Sequence, residues 1–229
     1  MKTIGLIGGT TWVSTIEYYK ILNKEVNHRL GGVHSAKIIL YSVDFEEAKP
    51  PADANNLQPF ADSFSAIAMK LENAGASCLL LCANTTHIFA DEIQKKINMP
   101  LIHIADETGK EIAKHKLTKI GLLGTRITME HHFFKDKLLR YGIEALVPEE
   151  EDRNYIHNSI FTELGKEIFK PETKTRYLQI INKLQSAGAQ GVILGCTEIP
   201  LLIKQEDCSI VTFDTTRIHA HAGVKFALS

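Results

Sequence analysis

The 229-residue sequence has no surplus of charge of one sign: 26 lysines and arginines face 27 aspartates and glutamates, for a formal net charge of -1. No basic cluster stands out that would track a phosphate backbone, which excludes nucleic acid as an expected partner. Long hydrophobic runs are missing too. Stretches such as Lys37 to Val43 and Cys78 to Leu81 fall far short of the roughly 20 apolar residues of a membrane span. The N-terminus enters a strand pattern at once, Thr3-Ile4-Gly5-Leu6-Ile7-Gly8, with no room for a signal peptide. The expectation is a cytoplasmic protein with no membrane partner. Cysteines are few, at 78, 82, 196 and 208, without the density of a disulfide scaffold or the close pairing of a metal site. Reduced thiols and no metal follow.

Short runs of Ile, Leu and Val alternate with longer amphipathic stretches, which is the signature of βα units around mostly parallel sheets. The pattern predicts strands over Thr3 to Ile7, Lys37 to Val43, Cys78 to Leu81, Leu101 to Ile104, Lys119 to Leu123, Gly191 to Leu194 and Ser209 to Phe213. It predicts helices over Ser14 to Gly31, Phe60 to Ala74, Thr86 to Ile97, Ala105 to His115, Met129 to Tyr141, Asp152 to Glu163 and Lys174 to Ala187.

The chain is also written twice. Ile4-Gly5-Leu6-Ile7-Gly8 recurs as Ile120-Gly121-Leu122-Leu123-Gly124, an offset of 116, and Ala74-Gly75-Ala76 recurs as Ala187-Gly188-Ala189, an offset of 113. Two pseudo-symmetric α/β domains are expected, each a mostly parallel sheet flanked by helices. The last strand and helix, within Val211 to Leu228, are expected to return to the first half. That places the domains at 1–104 plus 209–229 and at 105–208. A ligand would then sit in the interdomain cleft, at the carboxyl ends of the strands.

Each half carries a polar cluster at the end of its internal strand: Cys82-Ala83-Asn84-Thr85-Thr86-His87 and Gly195-Cys196-Thr197-Glu198. Thr85 and Thr197 stand where they could cap a following helix, whose free N–H groups would attract a carboxylate and lower a thiol's pKa. Removing an α-proton from one face and returning one to the other needs an acid and a base on opposite sides, and cysteine suits both roles. Cys78, inside an apolar strand, and Cys208, in a polar loop, read as structural.

The opening Met1-Lys2-Thr3-Ile4-Gly5-Leu6-Ile7-Gly8-Gly9 resembles the aspartate/glutamate racemases. So do Leu30 to Ala36 with Ser42-Val43-Asp44-Phe45, Asn84-Thr85-Thr86-His87, Leu123-Gly124-Thr125-Arg126 with Thr128-Met129-Glu130, Gly195-Cys196-Thr197-Glu198-Ile199, and Phe213-Asp214-Thr215-Thr216 with His219-Ala220. Within that superfamily the chain looks most similar to the bacterial branch acting on L-aspartate and L-glutamate. The resemblance implies a two-domain fold, catalysis without pyridoxal phosphate, metal or other cofactor, an acidic amino acid as substrate, a cysteine on each side of Cα, and a homodimer. Carried to this chain, it makes Cys196 the thiol that handles the L-substrate's proton, with Cys82 as its candidate partner. Asn84, Thr85, Thr125 and Thr197 would hold the substrate carboxylates, with Thr10 and Thr86 lining the pocket. The spacing of Arg and Lys does not identify the partner of the side-chain carboxylate; Arg126 and Lys166 are candidates.

The chain departs from the family pattern at position 83. Many members carry the first cysteine immediately before Asn-Thr, where this chain has Ala83. The repeat agrees, since eight residues lead from Gly188 to Cys196 and eight from Gly75 to Ala83. Cys82 is one position early, and one position on a strand reverses the side chain. Three readings stay open: a distorted strand end that brings Cys82 in, Cys196 acting alone with water or Thr86 returning the proton, and a one-base relative such as a decarboxylase. A non-catalytic ligand-binding protein is the alternative of another class. The opening Thr10-Thr11-Trp12-Val13-Ser14-Thr15 also replaces the family's Met-Ser-Trp-Glu-Ser-Thr.

The remaining candidates have plainer explanations. Gly5, Gly8 and Gly9 lack the G-x-G-x-x-G spacing of a dinucleotide site and read as a tight βα turn. Ser14 with Glu17 reads as a capping box. His131 and His132 read as a solvated helix face, His87, His219 and His221 as packing residues, and Asp214 as a cap or hinge. Glu198 reads as tuning Cys196 or capping the next helix.

Overall fold

A computed structural model describes residues 1–48 and 57–229 of the chain. It divides into two compact units, Met1–His103 with His219–Ser229, and Ile104–Ile218.

In the first unit β1 (Ile4–Gly8), α1 (Trp12–Leu30), β2 (Ile38–Ser42), α2 (Phe45–Ala48), α3 (Gln58–Asn73) and β3 (Cys78–Leu81) follow in order. A 3-10 turn (Thr85–Phe89) then runs into α4 (Ala90–Gln94). The sheet order is β2-β1-β3, all parallel. The second unit holds α5 (Ile104–Lys114), β4 (Lys119–Gly124), α6 (Arg126–Glu130), α7 (His132–Leu139), β5 (Glu144–Leu146) and α8 (Glu150–Thr162). It continues with α9 (Pro171–Ser186), β6 (Gly191–Gly195), α10 (Ile199–Leu202), β7 (Val211–Asp214) and the start of α11 (Thr215–Ala227), whose later residues belong to the first unit. Its sheet order is β5-β4-β6-β7, again parallel. Among the described residues no helix is long and apolar enough to cross a membrane.

β1, β3 and β6 are buried along their whole length, because helices cover both faces of each sheet. In the first unit Ile7, Leu79 and Leu81 pack on α3, while Ile4, Leu6, Cys78 and Leu80 pack on α1 and α11. In the second, Leu123, Val192 and Leu194 pack on α8 and α9, and Ile120, Leu122 and Ile193 on α5 and α7. The two sheets repeat residue by residue: Ile4 pairs with Cys78 and Ile120 with Gly191, reproducing the offsets 120 − 4 = 116 and 191 − 78 = 113.

Several expectations need correction. The strand expected over Leu101 to Ile104 is a single bridge, Leu101 to Leu79, because the chain turns into α5 at Ile104. The last strand does not return to the first half: Gly191 pairs with Val211, so β7 lengthens the second sheet. The chain re-enters the first unit only at His219, well after the expected boundary at 208. The helix expected over Thr86 to Ile97 is the 3-10 turn followed by α4, and the one over Met129 to Tyr141 breaks at His131, whose ψ of 158° is extended. The cap of α1 is Thr11, whose side chain accepts from the Ser14 N–H, and not Ser14 itself.

His219 ties α11 into the first unit. Its Nε2 lies 2.7 Å from the Ile102 carbonyl, which only accepts, so Nε2 carries the proton and Nδ1 accepts from the Tyr18 hydroxyl at 2.7 Å. Burial, and then the neighbouring His87, hold the His219 imidazole well below the ordinary histidine range. The unfolded chain takes up a proton at about pH 6.5 that the folded chain refuses. The contribution to stability is therefore complete above that pH and is lost as pH falls through it. Denaturant unfolding of His219→Gln should show a shallower fall in stability between pH 7 and 5 than the parent, by up to about 1.4 kcal/mol per pH unit. Parallel profiles would show that His219 is not the responsible group.

Candidate active site

The first unit's contribution begins at the turn between β1 and α1. Gly9 has φ +88°, and a Cβ there would collide with the Val43 carbonyl. Its N–H donates to Thr15 Oγ1 at 2.8 Å, and Thr15 Oγ1 donates to the Thr11 carbonyl. The turn therefore closes on itself and leaves Thr10 buried at 7% exposure, its hydroxyl without a hydrogen-bond partner among the described residues. An unpaired buried hydroxyl costs about 1–3 kcal/mol. Thr10→Val should therefore raise the Tm of the ligand-free protein, by about 2–4 °C for each kcal/mol recovered, and a lower Tm would mean that the hydroxyl has a partner.

After β3 the Cys82 N–H donates to the Ile7 carbonyl at 2.9 Å, and the Ser14 hydroxyl donates to the Cys82 carbonyl. The Ala83 carbonyl accepts from both Thr86 Oγ1 and His87 Nδ1, each at 2.9 Å. Asn84 and Thr86 are buried, Thr85 and Ala83 partly so. Thr85 does not cap the turn that it opens. The Cys82 side chain lies in the apolar cluster of Tyr18, Leu22, Cys78 and Leu80, facing α1 and α11. Burial pushes its thiol far above the ordinary cysteine range, as it does that of Cys78, to about 12.

In the second unit β4 and β6 end side by side, Gly124 opposite Gly195. A Cβ on Gly195 would lie 2.5 Å from the Leu123 carbonyl, so only glycine lets the strand ends approach this closely. Thr125 follows and caps α6, its Oγ1 accepting from the Thr128 N–H at 3.3 Å. Cys196 follows Gly195 and is 8% exposed; its Sγ donates to Glu198 Oε2 at 2.9 Å, and Thr197 Oγ1 donates to the same oxygen at 2.8 Å. Glu198 is 1% exposed, and its side chain makes no capping bond to α10. Asp214 accepts from the Arg217 N–H and caps α11, its carboxyl raised by burial.

The thiol's ionisation runs opposite to expectation. Burial first, and then the charge and hydrogen bond of Glu198, raise Cys196 well above its ordinary range, against the smaller pull of the Glu198 and Thr197 amides. The helix after it has only four residues, and a carboxylate at contact outweighs so weak a dipole. The Cys196 Sγ–H is thus held against the Glu198 side chain rather than at an open helix end.

Of the candidate cations, Arg126 is exposed and donates to Asn154 Oδ1, and Lys166 is exposed on a 3-10 turn. His131 and His132 are exposed. Among the described residues no group of three or more His, Cys, Asp or Glu side chains converges as a metal site. Sequence reasoning missed the buried grouping of Tyr18, His87, His103 and His219, whose members lie too far apart in the chain to leave a local pattern.

The Asp/Glu/hydantoin racemase family matches residues 7–223. A Yersinia pestis crystal structure described as a candidate Asp/Glu racemase shares 45% identity, with 100% of both chains covered and a TM-score of 0.93. An aspartate racemase homologue from Pyrococcus horikoshii OT3 shares 35% identity, again with 100% of both chains covered, and a TM-score of 0.85. The broad specificity amino-acid racemase RacX of Bacillus subtilis (strain 168) is 25% identical over 162 residues, 71% of this chain and 70% of that protein. With two parallel α/β units of repeated register and a match along almost its whole length, this chain is an isomerase belonging to the Asp/Glu/hydantoin racemase family.

Proposed function

We propose that the protein moves the α-proton of an acidic amino acid, aspartate or glutamate, with Cys196 as its base on the L side. The observation that carries this reading is the buried Sγ to Oε2 contact of 2.9 Å between Cys196 and Glu198 at a strand end. Glu198 takes the thiol proton, the thiolate takes the α-proton, and the thiol is regenerated beside a planar carbanion. Asn84, Thr85, Thr125 and Thr197, with Thr10 and Thr86, are the polar groups assigned to the substrate carboxylates. No cofactor enters the scheme.

The other face lacks a thiol. By the strand register, Cys196 corresponds to 196 − 113 = 83, which is Ala83. Cys82 lies among the apolar side chains on the opposite face, so its proposed role is packing, and water or a neighbouring hydroxyl such as Thr86 returns the proton. The test is α-deuterium exchange in D2O: L-aspartate or L-glutamate should exchange faster than its D-enantiomer, and Cys82→Ala should change neither rate beyond about threefold, as suits a residue outside the proton path. Equal exchange from both enantiomers, abolished by Cys82→Ala, would overturn the assignment.

Ala83 also favours a second reading, a one-base relative that protonates a planar intermediate after decarboxylation. The same samples decide it, since decarboxylation consumes the carboxylate whereas racemisation conserves the amino acid. No exchange from any amino acid would leave a binding protein. Cytoplasmic location and a homodimer belong to the same proposal, and a light-scattering mass of one chain would remove the dimer.

A further inference from the structure

The Ala83 carbonyl is held by two donors, and one of them is part of a larger assembly. His87 donates from Nδ1 at 2.9 Å, because a carbonyl oxygen only accepts. Its ring meets His103 edge-on at 4.9 Å between centroids and His219 at 5.3 Å, and His219 in turn is fixed by Tyr18 and the Ile102 carbonyl. His87, His219 and Tyr18 are at most 1% exposed, and His103 8%. His103 and His219 are also the residues at which the chain leaves and re-enters the first unit. Hydrophobic side chains would fill this space without the desolvation that each imidazole undergoes. A buried polar group of this kind earns its place by fixing a direction, and here the direction is that of the Ala83-Asn84-Thr85 backbone.

We propose that His87 is a positioning residue: its Nδ1–H, braced by the His103 and His219 rings, holds the 83–86 loop so that Asn84 and Thr85 present their polar groups to substrate. The assignment of Asn84 and Thr85 rests on the function proposed above; the hold on the loop does not. His103 before α5 and His219 from α11 are the titratable groups that face His87, and Tyr18 from α1 stands behind them against His219.

Two substitutions separate positioning from packing. In His87→Asn the amide nitrogen is attached to Cγ, as Nδ1 is, and can reach the Ala83 carbonyl. In His87→Gln it lies one methylene farther out, where Nε2 was. Amide hydrogen exchange of residues 83–87 should quicken about tenfold or more in His87→Gln and stay within about threefold of the parent in His87→Asn. In α-proton exchange assays His87→Gln should raise KM about tenfold with kcat little changed, because the Cys196 thiol belongs to the other unit, and His87→Asn should restore KM. Identical behaviour of the two variants in hydrogen exchange overturns the proposal, whatever the activity. If the parent protein exchanges no amino-acid α-proton, the functional reading fails while the hydrogen-exchange comparison still decides the role of His87. Should neither variant fold, imidazole nitrogen shifts of the parent protein decide it: a protonated Nδ1 on His87 is required, and a tautomer protonated only at Nε2 overturns it.

Discussion

Replacing Cys196 by alanine should lower α-deuterium exchange from the L-substrate by about 10²–10⁴-fold, the range spanned by a positioned general base. The fold should survive, because Glu198 keeps its bond from Thr197 Oγ1 at 2.8 Å after the thiol is gone. Glu198→Gln is the more searching change, since it sets two effects against each other. Removing the carboxylate removes the charge and the hydrogen bond that raise the thiol, which favours thiolate. It also removes the group that accepts the thiol proton. Burial is the largest cause of the raised thiol and is untouched by the substitution, so the loss of the acceptor wins. Exchange at neutral pH should fall about 10²-fold, within the range of a proton-transfer partner, and then climb with pH toward the thiol's own ionisation. A Glu198→Gln profile with the parent's shape and size would show that Sγ loses its proton elsewhere. A Cys196→Ala protein that still exchanges the L-proton would remove the thiol from the mechanism.

The same pair explains what could and could not be read from the residues alone. Gly195-Cys196-Thr197-Glu198 at the end of an apolar run was legible as a polar strand end, and the repeat offsets of 116 and 113 are the register offsets of the two sheets. The ionisation of Cys196 was not legible. The following apolar residues suggest a helix dipole, but that helix is one turn long and the nearest acidic group is the Glu198 side chain two residues away. β3 was bounded correctly at Cys78–Leu81 because a fully buried strand is a continuous apolar run. β5, three residues with no such run, left no signal. The run before Asp214 announced a strand, yet periodicity does not name the neighbour, and Val211 pairs with Gly191 in the second sheet. Ser14 and Glu17 imitate a capping box, but Ser14 spends its hydroxyl on the Cys82 carbonyl and Thr11 makes the cap.

Ala83→Cys should quicken exchange from the D-enantiomer and move the L-to-D ratio toward one. Residue 83 corresponds by register to Cys196, and its carbonyl is already fixed by Thr86 and His87, so a new Sγ enters a backbone that need not move. The size of the gain is limited by what the first unit lacks. The position equivalent to Glu198 is 198 − 113 = 85, which is Thr85, so no carboxylate waits to receive the new thiol's proton. At neutral pH a thiol near its ordinary pKa of about 8.5 is only a few per cent thiolate. The gain there should be about tenfold, rising toward about 10²-fold as the pH approaches that pKa. This dependence on pH separates a working thiol from a merely tolerated one, because a side chain that only reshapes the pocket would change the D-rate by the same factor at every pH. A folded Ala83→Cys protein whose added thiol is titratable, yet whose L-to-D ratio stays at the parent's value, would mean that position 83 does not face the substrate carbon. The correspondence between the two strand ends would then hold for the backbone and fail for the chemistry.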